Sequence, residues 1–328
     1  MKKIALLVPK GEVMPASVVS AYLLFTQINQ FLEESGQAPA FEVEILGYGK
    51  RTLLYDGAFA VHAHRHFRHA GAFDIIIVPG FICDMELPLR ENAPMIAWMK
   101  KKYEQEGTEL ASMCTGAFLI AATGLLDGRR CTTHWAFEPA FRRCFPRVLL
   151  QPDRIVTDDG GIYASGGAYS SLNLILYLVE KFCGKEYALW ASKVFQIDLD
   201  RQSQKRFAIF QQQKNHTDQP VTEVQAYIEQ HYQQPLTVQG LAAHFAFSRR
   251  NFIRRFKEAT GNTPIEYIQR VRIEAAKRML EGTSIPVSAI MAETGYSDSK
   301  TFRTIFKKYT GYSPSVYKSR YNRLAQVK

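Results

Sequence analysis

The sequence predicts an N-terminal α/β sandwich with a mostly parallel sheet and a C-terminal all-α domain carrying two helix-turn-helix motifs. Three observations carry that expectation. Short apolar strands alternate with amphipathic helices over residues 1–198. A phenylalanine pair four residues apart, beside a row of arginines and lysines, occurs twice between residues 249 and 308. The charge is uneven: residues 221–328 hold 17 Lys/Arg against 8 Asp/Glu, and residues 1–220 hold the remaining 24 and 23. A near-neutral domain joined to a basic one points to nucleic acid at the C-terminal end.

Residues 3–8 form an apolar run suited to a buried parallel strand, followed by a helix over 16–34 with Leu23, Leu24, Ile28 and Phe31 on its apolar side. Strands are expected at 41–46, 74–78 and 110–113, with a helix at 92–103. The strand at 74–78 ends at Pro79–Gly80, where a loop leaves the carboxyl edge of the sheet. The strand at 110–113 runs straight into Cys114 and a helix with Gly116 in its first turn. Such a strand-to-helix turn lifts a nucleophile above a sheet. A helix N-terminus favours thiolate, so a depressed pKa is expected at Cys114, with His134 of TTHW as its partner. A hairpin is expected around 158–161, and helices at 170–182 and 186–194. Residues 199–220 turn polar, with a glutamine run at 211–213, and read as a mobile linker in which Phe207, Ile209 and Phe210 can dock.

In the C-terminal domain, residues 221–328, Thr237 caps a short helix and Ser248 a second one that ends at Gly261. On the second helix Phe252 and Phe256 face a core, while Arg250, Arg254 and Lys257 share another face. The copy at 285–311 repeats this with Phe302 and Phe306, and with Lys300, Arg303, Lys307 and Lys308; its second helix is expected from Ser297. Both copies close with Thr-Gly and then Thr-Pro or Ser-Pro, TGNTP at 260–264 and TGYSP at 310–314. A helix over 263–281 joins them, able to place two readers in successive major grooves about 34 Å apart.

No apolar run has transmembrane length, and the apolar core of MKKIALLVPKG is too short for a signal peptide, so a cytoplasmic chain without membrane contact is expected. Cys83, Cys114, Cys131, Cys144 and Cys183 are odd in number and lack metal spacing, which suits a reducing compartment and structural free thiols. His62, His64, His66 and His69 cluster in VHAHRHFRH. On an extended segment the first three share a face, yet no Cys or carboxylate completes a ligand set, so neither a metal nor another cofactor is expected. Trp135 reads as core rather than part of a cage for a cationic ligand.

With these residues in view, LAAHFAFSRRNFIRRFKEATGNTPIEYIQRVRIEAAKRML and ETGYSDSKTFRTIFKKYTGYSPSVYK make residues 221–324 resemble the two-motif DNA-binding domain of the AraC family of bacterial transcription regulators. The resemblance implies base-facing positions at Arg250, Ile253 and Arg254, and at Ser299, Lys300 and Arg303. Ser248, Arg249, Asn251, Lys257 and Lys307 complete the expected DNA face. Met291 stands where the family has a small Ala and Thr304 where it has Arg, which implies looser contact in the second groove. VPG at 78–80, CTGAFLIAATGLLDGRR at 114–130, TTHW at 132–135 and ASGG at 164–167 resemble the PfpI-like branch of the class I glutamine amidotransferase-like, flavodoxin-like α/β fold. That implies a ligand pocket at Gly80, Cys114, Thr115 and His134. The family's acid after the first strand falls near Pro15, with Glu12 three residues earlier, which argues for binding over turnover.

The two together resemble the GlxA-like group. They imply a homodimer through the N-terminal domain, a small-molecule effector, promoter duplex DNA and RNA polymerase as partners. A cysteine hydrolase of glyoxalase or deglycase type, and a thiol redox sensor, each with a DNA-binding appendage, are the alternatives. Effector, operator and the direction of regulation are left open.

Overall fold

The computed structural model describes residues 1–81, 85–199, 203–207, 209–210, 214 and 216–322, with Arg206 by its backbone alone. They divide into two compact units, Met1–Gln204 and Lys205–Lys328.

The first unit is built on a seven-stranded sheet of order β10-β11-β7-β6-β1-β2-β5. In chain order, β1 (Lys2–Val8) leads to α1 (Pro15–Glu34) and β2 (Phe41–Gly47). A hairpin follows, β3 (Arg51–Leu54) and β4 (Phe59–His62), then β5 (Arg65–His66) and β6 (Ile75–Val78). Next come α2 (Glu86–Glu91), α3 (Ala93–Glu106), β7 (Glu109–Met113) and α4 (Ala117–Ala121). The short pair β8 (Arg130–Cys131) and β9 (Leu149–Leu150) brackets α5 (Glu138–Cys144). The unit closes with β10 (Val156–Asp159), β11 (Ile162–Ser165), α6 (Ser171–Cys183) and α7 (Lys185–Val194). All pairings in the large sheet are parallel except β10 with β11.

The physical reasons are local. Ile75–Val78 is buried at every position, as a central strand covered on both faces must be. In α1, Val18, Ala21, Leu24, Phe25, Ile28 and Leu32 are buried at helical spacing, behind a Pro at the first position. Leu23 is exposed, so the apolar side lies partly off the expected one. Helix α1 packs with α6 and α7 in one layer, whereas α3 and α4 pack on β7.

The histidines do not share a face. His62 ends β4, and the chain turns before β5. His64 Nδ1 accepts the Ile45 N–H at 2.8 Å, and His66 Nδ1 accepts the Arg68 N–H at 3.1 Å. In each ring Nδ1 is spent on backbone, and no group of three His, Cys, Asp or Glu gathers as a metal site among the described residues. Cys83 and the glutamine run at 211–213 lie outside the described residues. Cys131 is buried, Cys183 half-buried and Cys144 exposed.

The second unit is helical: α8 (Gln219–His231), α9 (Val238–His244), α10 (Arg249–Thr260), α11 (Pro264–Gly282), α12 (Val287–Glu293), α13 (Ser299–Thr310) and α14 (Pro314–Tyr321). The caps are side chains of the expected kinds. Thr237 accepts from the Gly240 N–H and Ser248 from the Asn251 N–H. Asp298, not Ser297, caps α13 through the Thr301 N–H at 2.7 Å, because a carboxylate one residue later lies nearer the orphan amides. Thr263 and Glu266 form a capping box on α11. Two apolar clusters share this helix. Tyr267, Ile268 and Val271 join Phe252 and Phe256 in one, and Ile273, Ala276 and Leu280 join Phe302 and Phe306 in the other.

The stretch read as a linker is docked at several points. Phe210 packs against Tyr267 with ring centroids 5.3 Å apart, and Asp218 caps α8. Gln204 is buried, contrary to a wholly mobile tether, because its side-chain amide is hydrogen-bonded inside the first unit. No helix among the described residues is long and apolar enough to cross a membrane.

Candidate functional site

Two places gather the expected residues, one in each unit. In the first, β7 delivers Cys114 at the carboxyl edge of the parallel strands, where ligands of open α/β sheets bind. Cys114 has φ 55°, a left-handed conformation that a non-glycine residue adopts only when its surroundings hold it there. The hold is visible. Thr115 Oγ1 accepts the Phe81 N–H at 2.7 Å and donates to the Phe81 carbonyl at 2.9 Å. Gly116 presses on the end of β6, where a Cβ would lie 2.6 Å from the Val78 and Pro79 carbonyl oxygens. Gly80 faces the cysteine, and a Cβ there would stand 3.1 Å from Cys114 Cβ. Thr115 is thus fully buried with its hydroxyl engaged by backbone, while Gly80 packs against the cysteine too closely to carry a side chain without a shift.

The thiol does not behave as the local sequence suggests. Cys114 is only 5% exposed, and burial pushes its pKa up to about 11, against the lowering contribution of hydrogen bonds from Thr115. The expectation of a depressed pKa is overturned. The turn after Cys114 is a short 3-10 stretch leading to a five-residue helix, too little aligned backbone to offset the loss of hydration. At pH 8 the thiolate fraction is then about one in a thousand. Iodoacetamide at pH 8 is therefore expected to alkylate exposed Cys144 at least about a hundredfold faster than Cys114, as followed by peptide mass. Equal rates would mean that Cys114 opens to solvent.

His134 lies on the same edge. Thr133 Oγ1 donates to the Cys114 carbonyl at 3.1 Å, so the TTHW segment is tied to the elbow. His134 Nδ1 accepts the Ala136 N–H at 3.1 Å, and burial lowers the ring's pKa. A neutral ring with Nδ1 so engaged carries its proton on Nε2 and presents a donor. Among the described residues no hydrogen bond joins His134 to Cys114. Glu12 is exposed and accepts the Tyr55 N–H at 3.4 Å. Pro15 begins α1. The arrangement is a buried neutral thiol with a neutral imidazole donor on the same sheet edge, and among the described residues no carboxylate is hydrogen-bonded to either.

Sequence reasoning missed Gln204, whose amide lies among Thr132, Thr133 and Trp135. One glutamine in a polar stretch carries no local signal of such a position.

The second place is the outer face of α10. Phe252 and Phe256 are buried, which turns Arg249, Arg250, Asn251, Arg254 and Lys257 outward, with Ile253 half-buried. Ser248, Arg250, Asn251, Ile253 and Arg254 line an open cleft of about 590 Å³. Arg254 reaches both carboxylate oxygens of Glu258 at 2.8 and 2.9 Å, and Asn251 Oδ1 at 3.0 Å. Arg255 faces the other way, 2.5 Å from Asp218 and over the Phe247 ring. On α13, Phe302 and Phe306 are buried while Ser299, Lys300, Arg303 and Lys307 are exposed, none of the three cations having a carboxylate partner among the described residues. The two helices end alike. Thr260 bonds the Phe256 and Asn262 carbonyls, and Thr310 bonds those of Phe306 and Tyr312.

A family model for a helix-turn-helix domain matches residues 241–320, and one for the DJ-1/PfpI family matches residues 42–181. The chain is 26% identical over 247 residues to the HTH-type transcriptional regulator GbdR of Pseudomonas aeruginosa, a match covering 75% of this chain and 66% of that protein, just under two thirds of its length. It is 26% identical over 223 residues to the HTH-type transcriptional regulator GlxA of Rhizobium meliloti, covering 67% of this chain and 68% of that one. A crystal structure of an AraC family transcriptional regulator from Pseudomonas putida superposes with a TM-score of 0.51 at 18% identity, over 60% of this chain and 100% of the other. At that identity the likeness concerns the fold alone. The chain thus joins a DJ-1/PfpI-like domain to a helix-turn-helix region, and its similarity to the HTH-type transcriptional regulators GbdR and GlxA spans most of its length.

Proposed function

We propose that the chain is a sequence-specific DNA-binding regulator in which α10 and α13 are the reading helices of two helix-turn-helix motifs, and that the unit around Cys114 binds a small effector. The observation that carries this is the repeat itself. Both helices bury a Phe pair, expose cations on the opposite side, end in the same Thr-Gly hydrogen-bond pattern and anchor on the single helix α11. Arginine on such a face can bond guanine O6 and N7 with one planar fork, and lysine can neutralise phosphate.

Binding rather than turnover is supported by the buried thiol, whose pKa is raised, and by the neutral His134 donor. A cysteine hydrolase works through a thiolate with a base in contact, and a buried thiol that has no hydrogen bond to His134 among the described residues favours the binding reading. Dimerisation through the first unit and contact with RNA polymerase complete the proposed regulator. An effector changes DNA binding only if its affinity differs between two arrangements of the protein.

Footprinting of the full chain on fragments of its own genome tests the proposal. Protected stretches spaced by about one helical turn, with affinity falling steeply as salt rises, are expected. Uniform weak protection on every fragment would leave a merely cationic domain.

A further inference from the structure

The last residue of the first unit fills a slot in that unit. Ser203 bridges Arg154 in antiparallel fashion, and the Gln204 N–H donates to the Asp153 carbonyl at 2.9 Å. The Gln204 side chain then turns inward and is 2% exposed. Its Nε2 lies 2.9 Å from the Thr133 and Arg154 carbonyl oxygens, 3.0 Å from that of Pro152 and 3.2 Å from Thr132 Oγ1. Its Oε1 accepts the Trp135 N–H at 3.3 Å. Gly166 forms one wall, where a Cβ would stand 1.8 Å from Nε2. Three backbone carbonyls and a hydroxyl at one end and an N–H at the other are matched by a primary carboxamide, which donates from nitrogen and accepts at oxygen. A carboxylate would set an oxygen against four oxygens, and an apolar group would leave them all without a donor.

We propose that this is a carboxamide-binding slot, held in the present state by the chain's own Gln204. A small molecule bearing a primary carboxamide competes for it and frees the segment entering the helical unit, which begins at Lys205. The slot adjoins the elbow, because Thr133 also holds the Cys114 carbonyl. The inference narrows the effector reading above to a chemical class. It is tested without DNA, so its failure and that of the DNA reading are separate results.

Hydrogen exchange on the full chain decides it. Gln204→Glu keeps the shape and reverses the donor end, Gln204→Ala empties the slot, and Gly166→Ala evicts the glutamine without altering it. All three are expected to speed exchange over 203–207 by about tenfold, with β7 as slow as in the wild type. Because they reach one state by different routes, a fold defect in any single variant does not imitate it. In Gln204→Ala, propionamide is expected to restore slow exchange over 131–135 while propionate does not. In the wild type, high propionamide is expected to speed 203–207. Exchange within about twofold of wild type in all three variants, or equal effects of propionamide and propionate, would overturn the proposal.

Discussion

Arg254→Ala is expected to weaken binding to the cognate duplex by about 1–3 kcal/mol, the discrimination carried by one bidentate base contact. The fold should be untouched. In the free protein the Arg254 side chain is 62% exposed and its partner Glu258 61%, and exposed pairs on a helix contribute little to stability. The same pair shows what binding must do. To reach a base edge the guanidinium has to leave Glu258, so the measured loss is the base contact minus the cost of breaking that bond. Arg255→Ala is the opposite case. Arg255 holds Asp218, which caps α8 through the Val221 N–H, so its removal should lower the melting temperature while leaving base preference intact. Fluorescence anisotropy with the cognate duplex and a scrambled one separates these outcomes. Loss confined to the cognate duplex marks a base contact, and equal loss on both marks a phosphate contact. Affinity unchanged on both would remove α10 from the groove.

What could be read from the sequence follows the range over which each feature is determined. Helices α10 and α13 were legible because their Phe pairs and the glycines that end them are local signals, and α11 because Thr263 and Pro264 mark its start; the α13 cap fell one residue beyond the expected one. The buried strands β1 and β6 were legible because apolar residues run without interruption over 4–8 and 75–78. The hairpin β3–β4 was not, since Leu53 and Phe59 point to solvent and break the alternation that marks a half-buried strand. The elbow at Cys114 was legible as geometry but not as chemistry. A thiol's charge state depends on who covers it, and the covering residues, Gly80 and Phe81 beside Thr115, come from another strand end. Gln204 fails for the same reason, its partners lying 50 to 72 residues away along the chain.

Phe256→Ala is expected to destabilise the helical unit by about 3–5 kcal/mol, the usual loss when a buried aromatic leaves a cavity. Phe256 is fully buried, with its ring centroid 5.6 Å from that of Phe252 and 5.3 Å from that of Tyr267. The neighbours cannot close the gap easily. Tyr267 is held through its hydroxyl, 2.7 Å from Glu229 and 3.1 Å from Gln225, so its ring cannot slide into the space without breaking a buried polar network. A loss of this size is a large part of the net stability of a small domain, typically about 5–15 kcal/mol. Because the Phe306 cluster draws on different residues of α11, the amides of α13 should keep their protection longer than those of α10. Urea melts followed by hydrogen exchange read both effects. If α10 and α13 lose protection together, α11 transmits the damage and the two halves form one cooperative unit. If α10 alone loosens, α10 and α13 each stand on their own core, and under the proposed two-motif reading cognate affinity should fall to what α13 supplies.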